Sequence, residues 1–184
     1  MFKKNTSSVS QVSSVETVLL ITLLRQVLSQ DTKGDVVELG CYKGDTSVLF
    51  QRELQRTEKH LWLYDSFAGL PEKTREDNSV AGDQFKSGEL FVTKREVIEK
   101  FKRQNLILPK IKKAFFEDLN PETDLPAKIC FAFLDGDLYT SIKISLFLIQ
   151  DKMQPGGIIV IHDYNNAELP GSGRAVDEWL KKHR

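Results

Sequence analysis

Four residues stand out by type and spacing: Asp135 and Asp137 in an Asp-Gly-Asp triplet, and the adjacent pair His162 and Asp163. Each group directly follows an apolar run, Ile129–Leu134 and Ile158–Ile161. If those runs are neighbouring parallel strands, about 4.8 Å apart, their ends bring three or four metal-ligating groups together. Carboxylate oxygens favour hard cations such as Mg²⁺, and one imidazole widens the choice to Mn²⁺, Fe²⁺ or Zn²⁺. Carboxylates packed together without compensation repel one another and have raised pKa values, a conflict that a cation resolves. The plain alternatives are a solvated Asp-Gly-Asp turn and a core histidine bonded to backbone.

A second constellation lies upstream. Gly40 and Gly44 bracket Cys41, Tyr42 and Lys43 after the run Val36–Leu39, and Asp65 closes the run Leu61–Tyr64. The spacing is GxxxG, unlike the GxGxxG of dinucleotide binders. Asp45 follows at once and would repel a phosphate at a helix start. A ligand with a ribose and no phosphate fits better, its diol held by the Asp65 carboxylate. The competing reading is a tight turn with a solvated or capping Asp. Phe116, Glu117 and Asp118 follow a further candidate strand, so acidic residues mark every strand end.

Composition bounds what these residues can serve. The chain has 184 residues, with 26 Lys+Arg against 26 Asp+Glu, and this zero net charge gives no basic face for nucleic acid. Hydrophobic residues make up 40%, which suits a folded domain able to bury a core without disulfide or metal staples. The two cysteines, Cys41 and Cys130, form no CxxC pair, which argues against a zinc knuckle and a thioredoxin motif and for a reducing, cytoplasmic setting. The N-terminal apolar stretch Val15–Leu28 is interrupted by Glu16 and Arg25 and is too short to span a bilayer, so no membrane partner is expected. Met1–Lys4 is followed by the polar Asn5–Ser14, which argues against a signal peptide.

The elements that must position these groups follow from periodicity. Residues 1–14 read as a mobile, Ser-rich arm. Val15–Ser29 reads as a helix with Val15, Leu19, Leu23 and Val27 inward. Strands are expected at Val36–Gly40, Leu61–Tyr64, Lys110–Phe116, Ile129–Leu134 and Ile158–Ile161. Helices are expected from Asp45, Thr46 and Ser47 onward, over Thr93–Gln104, from Leu138 to Met153 and over Arg174–Lys182. The alternation predicts an α/β fold: a Rossmann-like, doubly wound, mostly parallel sheet covered on both faces. Residues 1–33 form an arm and helix, and residues 34–184 a single domain. The long polar section Ala68–Lys94 shows no periodicity and reads as a lid or binding loop.

In this order the residues resemble a known family. Glu38-Leu-Gly-Cys-Tyr-Lys-Gly44, Asp65-Ser-Phe-Ala-Gly-Leu-Pro71, Phe115-Phe-Glu-Asp118, Phe133-Leu-Asp-Gly-Asp-Leu-Tyr139, His162-Asp-Tyr164 and Leu169-Pro-Gly-Ser-Gly-Arg-Ala-Val-Asp177 are similar to the macrocin O-methyltransferase (TylF-like) family of S-adenosylmethionine-dependent class I methyltransferases. The resemblance implies that Glu38 and the Gly40–Gly44 turn, with Cys41, Tyr42, Thr46 and Ser47, face the methionine and ribose of S-adenosylmethionine. It puts Asp65 on the ribose hydroxyls, Ser66, Phe67, Phe116 and Glu117 about the adenine, and Asp135 at both cofactor and metal. Asp135, His162 and Asp163 become ligands of a divalent cation, Mg²⁺ or, given His162, Mn²⁺ or another transition metal. The family's motif at the fifth strand is usually Asp-Asp-Tyr, and His162 departs from it. Asp137 becomes the general base, with Asp135 beside it, for a small-molecule hydroxyl acceptor containing a sugar or other polyol. The loop Glu72–Lys94 would close over that acceptor.

The family's fold carries two more strands after the last helix expected here, so the expected sheet lacks them and ends on its fifth strand. An apolar edge strand is an aggregation liability, so a fragment or a homo-oligomer covering that edge is expected. The competing functional readings are a non-catalytic cofactor-binding or assembly module and, at a greater distance, a nicotinamide oxidoreductase, which would need the missing GxGxxG.

Overall fold

A computed structural model describes residues 11–80 and 84–183. Among these residues six helices and five strands alternate: α1 (Ser14–Ser29), β1 (Asp35–Leu39), α2 (Asp45–Leu54), β2 (Leu61–Asp65), α3 (Lys94–Arg103), β3 (Lys110–Lys113), α4 (Pro121–Asp124), β4 (Ile129–Leu134), α5 (Tyr139–Ile149), β5 (Met153–Ile161) and α6 (Pro170–Lys182). The strands form one parallel sheet in the order β3-β2-β1-β4-β5. The chain winds outward from β1 to β3 and then returns to the other side of β1. The order therefore reverses between β1 and β4, where open α/β sheets hold their ligands.

Strand alternation divides the core. Val36, Leu61, Leu63, Phe131 and Phe133 face α1, α2 and α3, packing on Leu24, Val27, Phe50, Val97 and Phe101. Val37, Leu39, Tyr64, Ala132 and Leu134 face the other layer, against Leu125, Ile142, Leu146, Ile149, Ala175 and Val176. β4 is buried along its whole length, as its unbroken apolar run requires. Each such large side chain contributes about 1.5–3 kcal/mol by leaving water.

The differences from expectation lie at element ends. Of the expected arm, residues 1–10 lie outside the described residues. Val12 is buried in the core, and Ser13 caps α1 in a reciprocal box with Glu16. The core takes Leu20, Leu24 and Val27 from α1, whereas Val15 and Leu19 are 77% and 54% exposed. Two apolar stripes run along this helix, and packing against α2 and β5 selects between them. β5 starts at Met153, in what reads as helix, and runs through Pro155–Gly157 by a shift of register opposite Ile129–Phe131. A proline and a glycine at positive φ are tolerated there because β5 is an edge strand. β3 stops at Lys113, short of Phe116. α6 begins at Pro170, with proline in the first turn where its missing N–H costs nothing.

The section expected as a lid is tied at its base. Leu70 donates its amide to Glu89 (2.8 Å) and accepts that of Gly88 (2.9 Å). Leu70 also packs with Leu138, Leu169, Phe85 and Leu90 in a small apolar cluster. No helix among the described residues is long and apolar enough to cross a membrane.

Candidate active site

The carboxyl ends of β1 and β4 meet at Gly40 and Asp135. A Cβ on Gly40, whose φ is +91°, would lie 1.9 Å from the Asp135 carbonyl oxygen. Only glycine fits this crossing. The turn beyond it is held from β2. One carboxylate oxygen of Asp65 accepts the amides of Cys41 (3.0 Å) and Tyr42 (2.9 Å), and the other accepts that of Phe67 (2.8 Å).

Glu38 sits behind the turn, fully buried. It bonds the hydroxyls of Thr46 and, at 2.5 Å, Ser47, fastening the first turn of α2 to β1. Burial pushes its carboxyl up to about 8, against the opposing effect of these hydroxyls.

In front of the turn lies a cleft that opens to solvent. Of the residues expected at a cofactor, Gly40, Tyr42, Asp65, Ser66, Phe116 and Asp135 line it, together with Asp137. Glu38, Cys41, Gly44, Thr46, Ser47, Phe67 and Glu117 do not. Cys41 and Phe67 are instead core residues, and Gly44 opens α2 in a left-handed conformation. The remaining wall is Gly136, inside the Asp-Gly-Asp triplet; Gly69–Pro71 and Leu90, from the section expected as a lid or binding loop; and Gln11, Phe115 and Ser141, to which the sequence assigned no site role. Ser141 stands one helical turn beyond Asp137, which was an available signal; nothing marks Gln11.

Three of the four metal-type groups converge. His162 Nδ1 lies 3.0 Å from Asp135 Oδ1 and 2.7 Å from Asp163 Oδ2. Its Nε2 lies 3.6 Å from Glu16 on α1. Burial works against a charged ring, but hydrogen bonds and charge attraction from Asp135 and Asp163 carry His162 up to about 11. Burial likewise raises Asp135, against the pull of His162. For Asp163 burial is outweighed by the bonds to His162 and Asn166, and its carboxyl lies below the usual range. The imidazolium thus supplies the positive charge between the two carboxylates. The three ligand atoms lie within 4.8 Å of one another, a donor set that suits a divalent cation once the ring gives up its proton.

Asp137 is not part of that cluster; it faces the first cavity. Its φ is +60°, and the Leu138 amide bonds the Gly136 carbonyl at 2.6 Å, closing a tight three-residue turn around it. Burial and the Asp135 charge push its carboxyl well above the ordinary range. His162 and Asp163 open on a second cavity, bounded by Glu16, Leu19 and Leu20 of α1 and by Val160 and Ile161 of β5. Asp135 is the residue common to the first cavity and the cluster.

Comparison with known proteins gives a consistent result. Residues 17–184 match the model of the macrocin-O-methyltransferase (TylF) family. The chain is 30% identical over 146 residues to 8-demethyl-8-(2,3-dimethoxy-alpha-L-rhamnosyl)-tetracenomycin-C 4'-O-methyltransferase of Streptomyces olivaceus, a match covering 75% of this chain and 56% of that protein. It is 27% identical to demethyldecarbamoylnovobiocin O-methyltransferase of Streptomyces niveus, covering 86% of this chain and 63% of the relative. The chain thus spans less than two thirds of the length of these relatives. Among solved structures, the O-methyltransferase NovP superposes with a TM-score of 0.78 at 26% identity, over 91% of this chain and 71% of that one. The calicheamicin methyltransferase CalS11 superposes with a TM-score of 0.74 at 21% identity, over 92% and 73% of the two chains, a likeness of fold.

Proposed function

The chain belongs to the macrocin O-methyltransferase family, and from that premise we propose that it methylates a hydroxyl of a sugar-containing small molecule, using S-adenosylmethionine. The observation that carries this reading is the position of Asp135, shared by the cleft at the switch point and by a cluster of cation-type ligands. One relative is named for O-methylation of a rhamnosyl-tetracenomycin and another for O-methylation of demethyldecarbamoylnovobiocin, which supports the acceptor class.

When bound, S-adenosylmethionine supplies an electrophilic methyl on a cationic sulfonium. A divalent cation, held by Asp135, His162 and Asp163, would supply positive charge for a developing alkoxide. The other steps belong to the chain's own residues. Asp65 receives the ribose hydroxyls at the rim of the glycine turn, and Phe116 borders the adenine. Gly40 keeps the floor of the cavity free of side chain. The cavity's acidic groups offset the positive charge of the incoming sulfonium.

A sugar hydroxyl is a poor nucleophile until its proton leaves. Asp137, whose burial makes it a stronger base than an ordinary carboxylate, accepts that proton. The cofactor, held by Asp65 and the glycine turn, would supply the methyl to that oxygen, its sulfur keeping the electron pair of the bond given up. Leu70, Pro71 and Leu90 wall the cavity from the tied loop and would shape the acceptor's approach.

The test is calorimetric titration with S-adenosylhomocysteine, then transfer of labelled methyl from S-adenosylmethionine to methyl α-L-rhamnopyranoside with Mg²⁺ present. Micromolar cofactor binding with methyl transfer is expected. A folded sample that binds no S-adenosylhomocysteine sinks the reading.

A further inference from the structure

Asp77 is a buried carboxylate that neither the cavity nor the cation cluster uses. It ends a short 3₁₀ turn, Arg75–Asp77, within the long loop, and is 2% exposed. A carboxylate so buried needs strong partners to offset its desolvation. One oxygen accepts the amide of Tyr139 at 2.7 Å, across 62 residues of sequence. The other accepts the amide and the hydroxyl of Thr74, both at 2.9 Å.

The Tyr139 bond does a specific job. α5 begins at Tyr139, and its cap residue, Leu138, has no side chain able to bond the exposed amides. Asp77 supplies that cap from the loop, and its negative charge suits the positive end of the helix dipole. The same oxygen presses on α6, since a Cβ on Gly171 would lie 1.9 Å from it. Arg174 of α6 donates to the Glu76 carbonyl at 2.8 Å, so the segment is held between two helix starts.

The turn around Asp137 ends one residue before Tyr139. A non-glycine residue at φ +60° costs free energy and persists only where its surroundings over-determine it. Leu138, 1% exposed, is packed by Leu70 and Leu169, and Tyr139 is tethered by Asp77. We infer that Asp77 is a positioning residue: by holding the start of α5 it sets the aim of Asp137 and joins it to the seating of the acceptor-side loop. The inference rests on the proposed role of Asp137 as proton acceptor.

The test compares Asp77→Ala and Asp77→Asn with the unmodified chain by amide hydrogen exchange, which needs no acceptor. Asp77→Ala is expected to speed exchange about tenfold or more both near residue 76 and across residues 137–142, with S-adenosylhomocysteine affinity held within about threefold. Asp77→Asn, which keeps a carbonyl for the Tyr139 amide, restores protection at 137–142. Turnover with methyl α-L-rhamnopyranoside supplies the second readout. Asp77→Ala is expected to lower kcat by about 10²-fold, the scale of a misplaced reacting group, yet to slow an Asp137→Asn background by less than about threefold. Unchanged exchange at 137–142, or an equal slowing in both backgrounds, overturns the inference. Undiminished kcat in Asp137→Asn overturns instead the proton-acceptor reading beneath it.

Discussion

The carboxylate of Asp65 accepts the backbone amide of Tyr42 at 2.9 Å, so the end of β2 fixes the turn that leaves β1. Asp65 is therefore both a wall of the cavity and the brace of the wall beside it. Asp65→Asn turns one acceptor oxygen into a donor facing amide donors. S-adenosylhomocysteine binding is expected to weaken by about 1–3 kcal/mol, from losing charge-assisted bonds. An unchanged dissociation constant by calorimetry removes Asp65 from the ribose role.

Glu38 makes the stability of the ligand-free protein depend on pH. Its folded pKa, pushed up to about 8 by burial, lies above the unfolded carboxyl value of about 4.3. The protonated form is the one the fold prefers. The contribution is fully present below the unfolded value and is lost as pH rises through about 8. Urea unfolding at pH 5 and pH 8.5 is expected to give a larger drop for the native chain than for Glu38→Gln, which stays neutral. Parallel drops in the two proteins would show that Glu38 ionises without cost.

Gly40→Ala inserts a methyl against the Asp135 carbonyl, where 1.9 Å is available, at a φ of +91°. Overpacking and backbone strain together are expected to cost about 2–4 kcal/mol. Thermal unfolding measures the loss. Because the displaced group is Asp135, cofactor affinity should fall in the variants that still fold. A Tm within a degree of the native value contradicts the contact.

A cation held at Asp135, His162 and Asp163, as proposed, would separate binding from turnover. EDTA, or Asp163→Ala, is expected to abolish methyl transfer while leaving S-adenosylhomocysteine affinity within about threefold, since Asp163 does not line the first cavity. Replacing His162 by Asp should strengthen Mg²⁺ binding by calorimetry, because it exchanges an imidazolium for a hard oxygen donor. Full activity of Asp163→Ala in EDTA rules the cluster out as the metal site.

Much of this was legible in the chain itself. Ile129–Leu134 suits a strand buried on both faces, which puts its Asp-Gly-Asp exit at a sheet end; that this end lies beside Gly40 follows from β4 pairing with β1. The convergence of Asp135, His162 and Asp163 followed from β4 and β5 being neighbours. Other features depend on contacts that local sequence does not encode. Glu38 reads as a ligand-facing acid, but two hydroxyls on α2 draw it inward. Pro170–Gly173 falls outside the helix expected from Arg174, since proline and glycine break helices, yet the glycines are required by the closeness of Asp77 and Tyr164. Asp77, in an aperiodic polar stretch, carries no signal of its burial. Its partner lies 62 residues away.

The two edges of the sheet differ in a way that gives the sheet a direction. β3 carries three exposed lysines, Lys110 over the Trp62 ring, Lys112 paired with Asp124 at 2.6 Å, and Lys113, and lysines on an edge strand disfavour pairing with another strand. β5 carries no such charges over Ile158–Ile161, and its breakers, Pro155 to Gly157, sit far from its carboxyl end. The β5 edge thus carries less charge than the β3 edge. That less charged edge ends at His162, so a strand added along it would border the cluster of Asp135, His162 and Asp163.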